Sequence, residues 1–469
     1  MGVDVIAVVL AFGVLLVTLA MGVPVALGLT AAGIVGIIAV DGVAAVTPVL
    51  GARMFRSVFN FALTVVPLFV IMGFFVNHAR IGEDLFAVMA RVLRRVPGGL
   101  GLASIAACAG FGAVTGASVT GVATIGPMSI REMRKYGYTK EFSAGLIAAA
   151  GTLGILIPPS ISLAIYGFVA NVSVGRLLIA GLIPGILSAI FYGVLTVMIG
   201  LRMNRRAAAA ATADPVQAPA STSPSVTLAP PPVDHDPSLE RGFLGMSRGL
   251  VAALKILVIF VIVFGGIYLG IATVTESAAL GALAAFLMLV FSGLNDGLRA
   301  IVRRTADSIA EGVSVSSMFF FLLVGGAIFG YFLLISGVPS AFARWATALD
   351  VPPAVVVIVI LLGLVVLGMF LDGISILLIS VPLTFPIVVE AFGYSPIWYG
   401  VMLVKTIEIG LITPPLGINA FVVAGLSKDI KVENVFRGVV PFFIVDLLTV
   451  AVFFMFPAII TWLPDRMMG

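Results

Sequence analysis

The sequence predicts an all-α polytopic membrane protein, built as an inverted-topology repeat with two re-entrant hairpins and two transmembrane helices broken at Pro-Pro pairs. Of its 469 residues, 61% are hydrophobic and 10% are charged, which leaves too little charge for a soluble surface. The mean hydropathy is +1.22, and the apolar runs have the length of about 18 to 25 residues that crosses a hydrocarbon core as a helix. The same pattern of Gly and Pro also occurs twice at a constant offset.

Composition excludes several classes of protein. A single cysteine, Cys108, and two histidines, His78 and His235, cannot build a disulfide framework or a Cys/His metal cluster. The net charge of +4 does not indicate nucleic-acid binding, because basic residues in a membrane protein set its topology. No basic residue precedes the first apolar run, so this run is expected to be an uncleaved helix rather than a signal peptide.

Apolar runs bounded by charges, Pro or Gly predict ten simple spans. They lie near 3–20, 22–40, 61–79, 143–170, 178–201, 250–270, 272–293, 313–336, 397–425 and 439–463.

Two further stretches, 99–130 and 353–390, are too long for one crossing and contain glycines in their middle. We interpret both as re-entrant helical hairpins, which a bilayer tolerates where protein or a wet cavity satisfies the backbone. An ordinary kinked helix is the alternative at each place.

The segment 204–247 is rich in Ala, Ser, Thr and Pro and is predicted to be a disordered linker, because it cannot bury enough apolar surface to offset its ordering entropy. Most basic residues outside the linker lie in loops on the linker's side of the membrane. The opposite side holds only Arg53, Arg56, Arg176, Arg344 and Arg466. This bias predicts a cytoplasmic linker and places both termini in the periplasm.

The predicted domain organisation follows the repeat. It comprises N-terminal scaffold helices at 1–60, a first repeat at 61–177, a scaffold helix at 178–203, the linker, scaffold helices at 248–312, a second repeat at 313–426 and a C-terminal scaffold helix at 427–469.

A constant shift of 256 residues superposes the two repeats. It pairs Gly112 with Gly368, Gly154 with Gly410, and the Pro-Pro pair at 158–159 with that at 414–415. Since the basic residues put the two hairpins on opposite faces, the repeat is predicted to be inverted, as in many secondary transporters. Each repeat also contains a short amphipathic arm, at 82–95 and 338–350.

Each Pro-Pro pair must stop its helix in mid-membrane, because it removes two amide donors. The freed carbonyl groups would suit a hard cation such as Na⁺, and the neighbouring helix N-termini would attract carboxylates. A structural kink without a ligand is the alternative. We predict two Na⁺ sites, the first formed by Ser118, Gly154, Ile157 and Pro159, and the second by Asp372, Gly410, Thr413 and Pro415.

Polar residues near the two breaks predict a site for the substrate carboxylate. They are Thr115, Ser118, Thr152, Ser160, Lys405, Glu408 and Asn419. Lys405 and Glu408 are three residues apart on one helix and can neutralise each other, or Glu408 can line the cavity. Glu276 is interpreted as a scaffold contact or a helix-start carboxylate.

At these residues the sequence resembles the large membrane subunit, the DctM type, of tripartite ATP-independent periplasmic (TRAP) transporters. The matching segments are Gly116 to Gly121, Ala149 to Ser160, Ala170 to Arg176, Thr273 to Ala278, Gly368 to Gly373 and Ile409 to Asn419. The chain departs from dicarboxylate-type relatives at Lys405 and Thr406, where those relatives tend to carry Asn.

The resemblance implies Na⁺-driven uptake of an organic acid across the bacterial inner membrane, with two or more coupling ions and no organic cofactor. It also implies a periplasmic binding protein that delivers the acid, an elevator-type movement and a small four-helix membrane subunit. Since only Met1 and Gly2 precede the first span, that subunit is expected to be a separate chain.

Two other functions were weighed. A self-sufficient Na⁺/carboxylate symporter of the same broad fold would need no binding protein. An intramembrane enzyme would need a Ser/His pair, paired aspartates or metal ligands at the midplane, whereas His78 lies at a span end, His235 is in the linker and Asp372 has no second aspartate in the predicted spans. The sequence therefore argues against an enzyme.

Overall fold

A computed structural model gives the structure of residues 4–213 and 248–468. The first part contains the helices Val5–Ala20 (α1), Val25–Asp41 (α2), Val46–Val58 (α3), Val65–His78 (α4), Ile81–Leu93 (α5), Gly99–Thr115 (α6), Ser118–Lys135 (α7), Lys140–Leu156 (α8), Ile161–Val169 (α9) and Val174–Ala213 (α10). The second contains Arg248–Tyr268 (α11), Val274–Gly293 (α12), Leu298–Ile335 (α13), Val338–Ala348 (α14), Pro353–Gly368 (α15), Gly373–Phe385 (α16), Pro396–Ile412 (α17), Ile418–Gly425 (α18), Val432–Met455 (α19) and Ala458–Met468 (α20).

The described residues form an all-helical structure of the polytopic membrane type, as predicted. Seven of their helical segments are long and apolar enough to cross a membrane, and α8 with α9, bent by 46° at their break, makes an eighth. That the repeat is inverted, and that both termini are periplasmic, stay predictions.

Both predicted hairpins are helix pairs with a short break between them. In the first, α6 ends at Gly116, whose φ of 63° is in the left-handed region that glycine adopts without strain. In the second, residues 369–372 separate α15 from α16, which continues as a π-helix over Pro386–Ala391. Their re-entrant character stays a prediction.

Both predicted helix breaks are present. The first lies between α8 and α9 and the second between α17 and α18. Each break contains the Pro-Pro pair at the expected position, and the peptide bond between the two prolines is cis in both.

The centre of the molecule is formed by α8 and α17, in which nearly every residue is buried. Helix α8 packs against α6, α7 and α19. Its contact with α19 is a backbone contact, since a Cβ added to Gly438 would lie 1.7 Å from the carbonyl oxygen of Glu141. Outside this centre, α13 packs against α2, and α4 packs against α12.

Four features differ from the prediction. Helix α13 begins at Leu298 rather than near 313, because the charged residues at its start do not interrupt a helix. The segment 427–469 forms two helices rather than one. An amphipathic helix, α3, follows α2 in a region predicted only as part of the scaffold. The predicted linker is also partly helical, since α10 continues to Ala213. This part is a run of alanines, and alanine has the highest helix propensity. Residues 214–247 of the predicted linker lie outside the described residues.

Glu276 has the helix-start role that was predicted for it. Its backbone N–H donates to the Thr273 hydroxyl at 3.3 Å, and its carboxylate accepts the backbone N–H of Thr273 at 2.7 Å. This reciprocal pair is a capping box at the start of α12, which satisfies amide groups that the helix itself leaves free.

A surface ion pair joins α7 to the loop between α18 and α19. The Arg134 guanidinium donates to the Asp429 carboxylate, and the Lys140 ammonium lies 3.6 Å from the same carboxylate. Hydrogen bonds from Ser427 and Arg134 lower the pKa of Asp429 to about 2. A lowered carboxyl pKa means that the charged form persists until the pH falls towards that value, so the contact is maintained throughout the neutral range.

Candidate functional site

The tip of the first hairpin lies directly on the first helix break. A Cβ added to Gly112 would lie 2.3 Å from the Cα of Gly154, and one added to Gly116 would lie 2.6 Å from the carbonyl oxygen of Pro159. The structure therefore brings the hairpin tip, which carries Ser118, together with Gly154, Ile157 and Pro159 of the predicted first Na⁺ site. Glycine is needed at Gly112 because any side chain there would separate the two backbones.

Helix α10 closes the other side of this break. A Cβ on Gly181 would lie 2.6 Å from the carbonyl oxygen of Leu156, and one on Gly185 would lie 2.6 Å from the Ile157 side chain. All residues from Gly151 to Ser160 are buried. The first break is thus enclosed between the hairpin tip and α10.

Ser118 and Asn419 join the two repeats. The Asn419 amide donates to the Ser118 hydroxyl at 2.5 Å and to the Ala148 carbonyl oxygen at 3.2 Å. The Asn419 side-chain oxygen is buried without a hydrogen-bond partner, as is the hydroxyl of Thr115. Unpaired buried polar atoms are costly, so these two atoms are available to hydrogen-bond a polar ligand.

Two helix N-termini meet at this contact. Ser118 is the first residue of α7, and Asn419 is the second residue of α18. Neither helix has a side-chain cap, since Ala117 and Gly417 occupy the capping positions. Free backbone N–H groups and the positive end of the helix dipole favour an anion at such a place.

Thr152 and Ser160 are close to the first break, but their hydroxyl groups have partners. Thr152 donates to the Ala149 carbonyl oxygen at 2.8 Å. Ser160 donates to the Ile155 carbonyl oxygen and caps α9 by accepting the N–H of Leu163 at 3.1 Å. Both hydroxyls support the local backbone in this structure.

The second hairpin and the second break repeat the close approach of the first. A Cβ on Gly368 would lie 2.7 Å from the Cα of Gly410. Thr413 donates to the Ile409 carbonyl oxygen at 2.5 Å. Unlike the first break, this one is open, since Pro414 and Pro415 are exposed.

Asp372 lies at the tip of the second hairpin and caps α16. Its carboxylate accepts the backbone N–H groups of Ile374 and Ser375, each at 3.1 Å, and the Ser375 hydroxyl. It also lines a cavity of about 430 Å³. The other lining residues are Pro24, Val25, Ala26, Ser317, Met318, Phe321 and Leu322, from the start of α2 and the middle of α13. The tip therefore faces a mainly apolar cavity against α2 and α13.

Lys405 belongs to a fully buried cluster of charges. Its ammonium lies 2.8 Å from the Asp446 carboxylate and 3.3 Å from the Glu408 carboxylate, and all three side chains are 0% exposed. Tyr192 of α10 donates to the second oxygen of Asp446 at 2.6 Å. The second oxygen of Glu408 has no partner. Lys405 is therefore paired with two carboxylates and joins α17 to α19.

Asp446 and Tyr192 were not predicted from the sequence. Asp446 lies within an apolar span of α19. A carboxylate in the membrane is costly, and this cost applies to Asp446 as much as to Asp372. The statement that the spans hold no second aspartate was wrong. Tyr192 carried no comparable signal, because a tyrosine in an apolar helix is ordinary.

The groups that could coordinate a cation at these breaks are backbone carbonyl and side-chain hydroxyl oxygens. The described residues contain no group of three or more His, Cys, Asp or Glu that could hold a metal ion. Carbonyl and hydroxyl oxygens suit Na⁺, which prefers hard oxygen ligands in this type of broken helix. Asp372 caps its own helix and faces the cavity against α2 and α13.

Comparison with known proteins identifies the family. Residues 12–459 match the family described as "Tripartite ATP-independent periplasmic transporter, DctM component". The chain is 31% identical over 442 residues to the C4-dicarboxylate TRAP transporter large permease protein DctM of Vibrio cholerae, and the match covers 89% of this chain and 90% of the relative. It is 30% identical over 468 residues to the isethionate TRAP transporter permease protein DctMQ of Oleidesulfovibrio alaskensis, with 96% of this chain and 65% of the relative covered.

The fold is similar to that of the YdaH transporter of Alcanivorax borkumensis. The TM-score is 0.60, with 16% sequence identity and 90% of each chain covered. At this identity the similarity concerns the fold alone.

The relatives are named as permease proteins of transporters, so this chain is a transporter subunit and not an enzyme. The family works with a small membrane subunit and a periplasmic binding protein. Together with the all-helical membrane fold, the match over nearly the whole sequence shows that the chain belongs to the DctM family, the large membrane component of bacterial TRAP transporters.

Proposed function

We propose that this chain is the permease subunit of a Na⁺-coupled system that imports an organic acid handed over by a periplasmic binding protein. The observation that carries the proposal is the meeting of two uncapped helix N-termini at Ser118 and Asn419, beside the unpaired hydroxyl of Thr115. Such a place attracts a carboxylate without a fixed positive charge. The names of the relatives, which refer to a C4-dicarboxylate and to isethionate, agree with a small organic anion.

The substrate carboxylate would lie among Thr115, Ser118 and Asn419. Thr152 and Ser160 would complete the site by exchanging their present backbone partners for the substrate. Lys405 and Glu408 are also proposed to lie near it, although Lys405 is already paired with two carboxylates.

The proposal is tested by uptake into proteoliposomes that contain the chain and its small subunit, with labelled C4-dicarboxylates and sulfonates supplied by the binding protein. Uptake should require an inward Na⁺ gradient. Thr115→Val should raise the half-saturating substrate concentration about ten- to a hundredfold, since a hydrogen bond to a charged group contributes about 1.5–3 kcal/mol.

Thr196→Val is the matched control, because Thr196 is another buried threonine whose hydroxyl has no partner and it lies on α10, away from the tip of the first hairpin. Uptake that is independent of Na⁺, or an equal effect of the two variants, would contradict the proposal.

Two Na⁺ ions are proposed, one at each break. Replacing Asp372 by Ala should raise the Na⁺ concentration that gives half-maximal uptake, because the second site would lose its charged ligand. Asp372 also caps α16, so Asp372→Asn serves as the control: asparagine caps a helix about as well as aspartate but carries no charge. Na⁺ titrations of uptake should shift in both variants, and an unchanged Na⁺ dependence in both would exclude Asp372 as a ligand.

The small membrane subunit is proposed to be a separate chain. Relatives are named both as a large permease protein DctM and as a permease protein DctMQ. Co-purification of a separately encoded small membrane protein would support this, and its absence from an active complex would refute it.

A self-sufficient Na⁺/carboxylate symporter is the alternative function. Omitting the binding protein from the proteoliposomes separates the two, since a self-sufficient symporter would keep its uptake. The family match favours the system with a binding protein.

We further propose that the hairpins and the broken helices move together as an elevator. The support is the backbone contact between each hairpin and its break, at Gly112 with Gly154 and at Gly368 with Gly410. Groups that share such contacts cannot easily move past each other, because protein interiors are close-packed. By the same argument α19, which was predicted as scaffold, moves with this group, since its Gly438 lies against the Glu141 backbone of α8.

A further inference from the structure

The helix α3 has one packed face and one open face. It follows α2 after a single 3-10 turn, Val43–Ala45, so it begins where a predicted membrane span ends. Val46, Val49 and Leu50 pack against the cluster formed by α1, α2 and α13. No residue of α3 is fully buried.

The open face of α3 is aromatic. Phe55 is 59% exposed, Phe59 is 74% exposed, and Phe61 just beyond the helix is 75% exposed. The rings of Phe55 and Phe59 are stacked, with centroids 4.7 Å apart. An aromatic surface next to the end of a membrane span is typical of the boundary between acyl chains and headgroups.

The charge of α3 and of the segment that follows it is entirely positive, and the nearest acidic residue before α3 is Asp41 at the end of α2. Arg53 and Arg56 are three residues apart, so they lie on the same side of the helix, and residues 42–82 contain no Asp or Glu. Within the described parts of the chain, neither arginine forms an ion pair. Arg53 lies over the ring of Tyr331 at 4.5 Å from its centroid, which fixes the position of its guanidinium. Arg176, on another helix, is by contrast paired with Asp465.

We infer that α3 is a membrane-surface helix that binds the headgroup of an anionic phospholipid through Arg53 and Arg56, with Phe55, Phe59 and Phe61 inserted beside the acyl chains. Guanidinium groups bind phosphate oxygens in a forked geometry. Neither arginine has a carboxylate partner among the described residues, and both lie near the end of a span beside exposed aromatic rings. A lipid phosphate can compensate their charge at this place, whereas the apolar centre of a protein–protein interface cannot. This inference does not depend on the transported substrate.

The inference is tested with the complex of the chain and its small subunit in nanodiscs that contain a photoactivatable phosphatidylglycerol or, separately, the same probe with a phosphatidylcholine headgroup. Labelled peptides are mapped by mass spectrometry. Phosphatidylglycerol should label residues 46–61 more strongly than phosphatidylcholine. The double variant Arg53→Gln/Arg56→Gln should lower this labelling roughly thirtyfold, as expected for two arginines facing an anionic headgroup.

Two further variants guard against a folding defect. Arg53→Lys/Arg56→Lys should keep part of the labelling, because it keeps the charge but loses the forked geometry. Arg299→Gln/Arg303→Gln, which removes two exposed arginines of α13, should leave the labelling of residues 46–61 unchanged. Equal labelling by the two lipids would overturn the inference, as would full labelling of the glutamine double variant. Absence of labelling of residues 46–61 by either lipid would also overturn it.

Discussion

Replacing Lys405 with methionine is expected to destabilise the folded protein by about 3–5 kcal/mol, the cost of removing one partner from a buried ion pair. The ammonium of Lys405 is the only positive charge that contacts Glu408 and Asp446 among the described residues, and all three side chains are fully buried. Methionine has a similar length but no charge, so the two carboxylates would face each other without compensation. Thermal unfolding of the purified complex, with and without substrate, measures the effect.

The double variant Lys405→Met/Asp446→Asn is the control. It removes the ammonium together with the carboxylate that lies nearer to it, so part of the lost stability should return. A single variant that keeps its stability but loses substrate affinity would show that Lys405 is a substrate ligand. A single variant that loses stability and keeps its affinity would show that Lys405 is the structural partner of Glu408 and Asp446.

A cross-link between α13 and α16 is expected to stop uptake completely. Helix α13 packs mainly on α2, whereas α16 belongs to the second hairpin. A Cβ on Gly330 of α13 would lie 3.6 Å from the Cγ of Pro382 in α16, so cysteines at these two positions have room to form a disulfide. If the hairpin must slide past α13 during transport, the bridge will hold it in one position. Uptake before and after oxidation, and after reduction by a thiol, measures the effect.

The matched control is a bridge between cysteines at Gly126 and Ile147, which joins α7 to α8. Both helices belong to the group that we propose to move together, and a Cβ on Gly126 would lie 3.2 Å from the Ile147 side chain. This bridge should leave uptake intact. Full uptake with the α13–α16 bridge would contradict the elevator proposal. The native Cys108 is buried and remains in both variants.

The breaks and hairpins could be predicted because local chemistry determines them. A Pro-Pro pair ends a helix wherever it occurs, and Gly116 allows the chain reversal at the first hairpin. The constant shift of 256 residues between the two repeats then paired the first break with the second, and this pairing required no information about the packing. For the same reason, the close approach of Gly368 to Gly410 agrees with the pairing of glycines in the sequence.

Other features depend on contacts between distant residues. The partner of Lys405 was sought among its helical neighbours, which gave Glu408, whereas the shorter contact is to Asp446 on another helix. Helix α3 was missed because its 13 residues contain no apolar run long enough to cross a membrane. Helix α13 was predicted too short because hydropathy identifies only the apolar part of a helix. The turns at its start are charged, and they are helical without being apolar.

The glycine contacts between hairpins and broken helices also have a mechanical consequence. Where Gly112 meets Gly154 and Gly368 meets Gly410, two backbones touch with no side chain between them. Side chains can change rotamer and absorb a small displacement, whereas touching backbones cannot. A shift of a few tenths of an ångström at a break would therefore be transmitted to the hairpin, because close-packed atoms cannot absorb it. Each hairpin and its break would then be displaced together as one rigid unit.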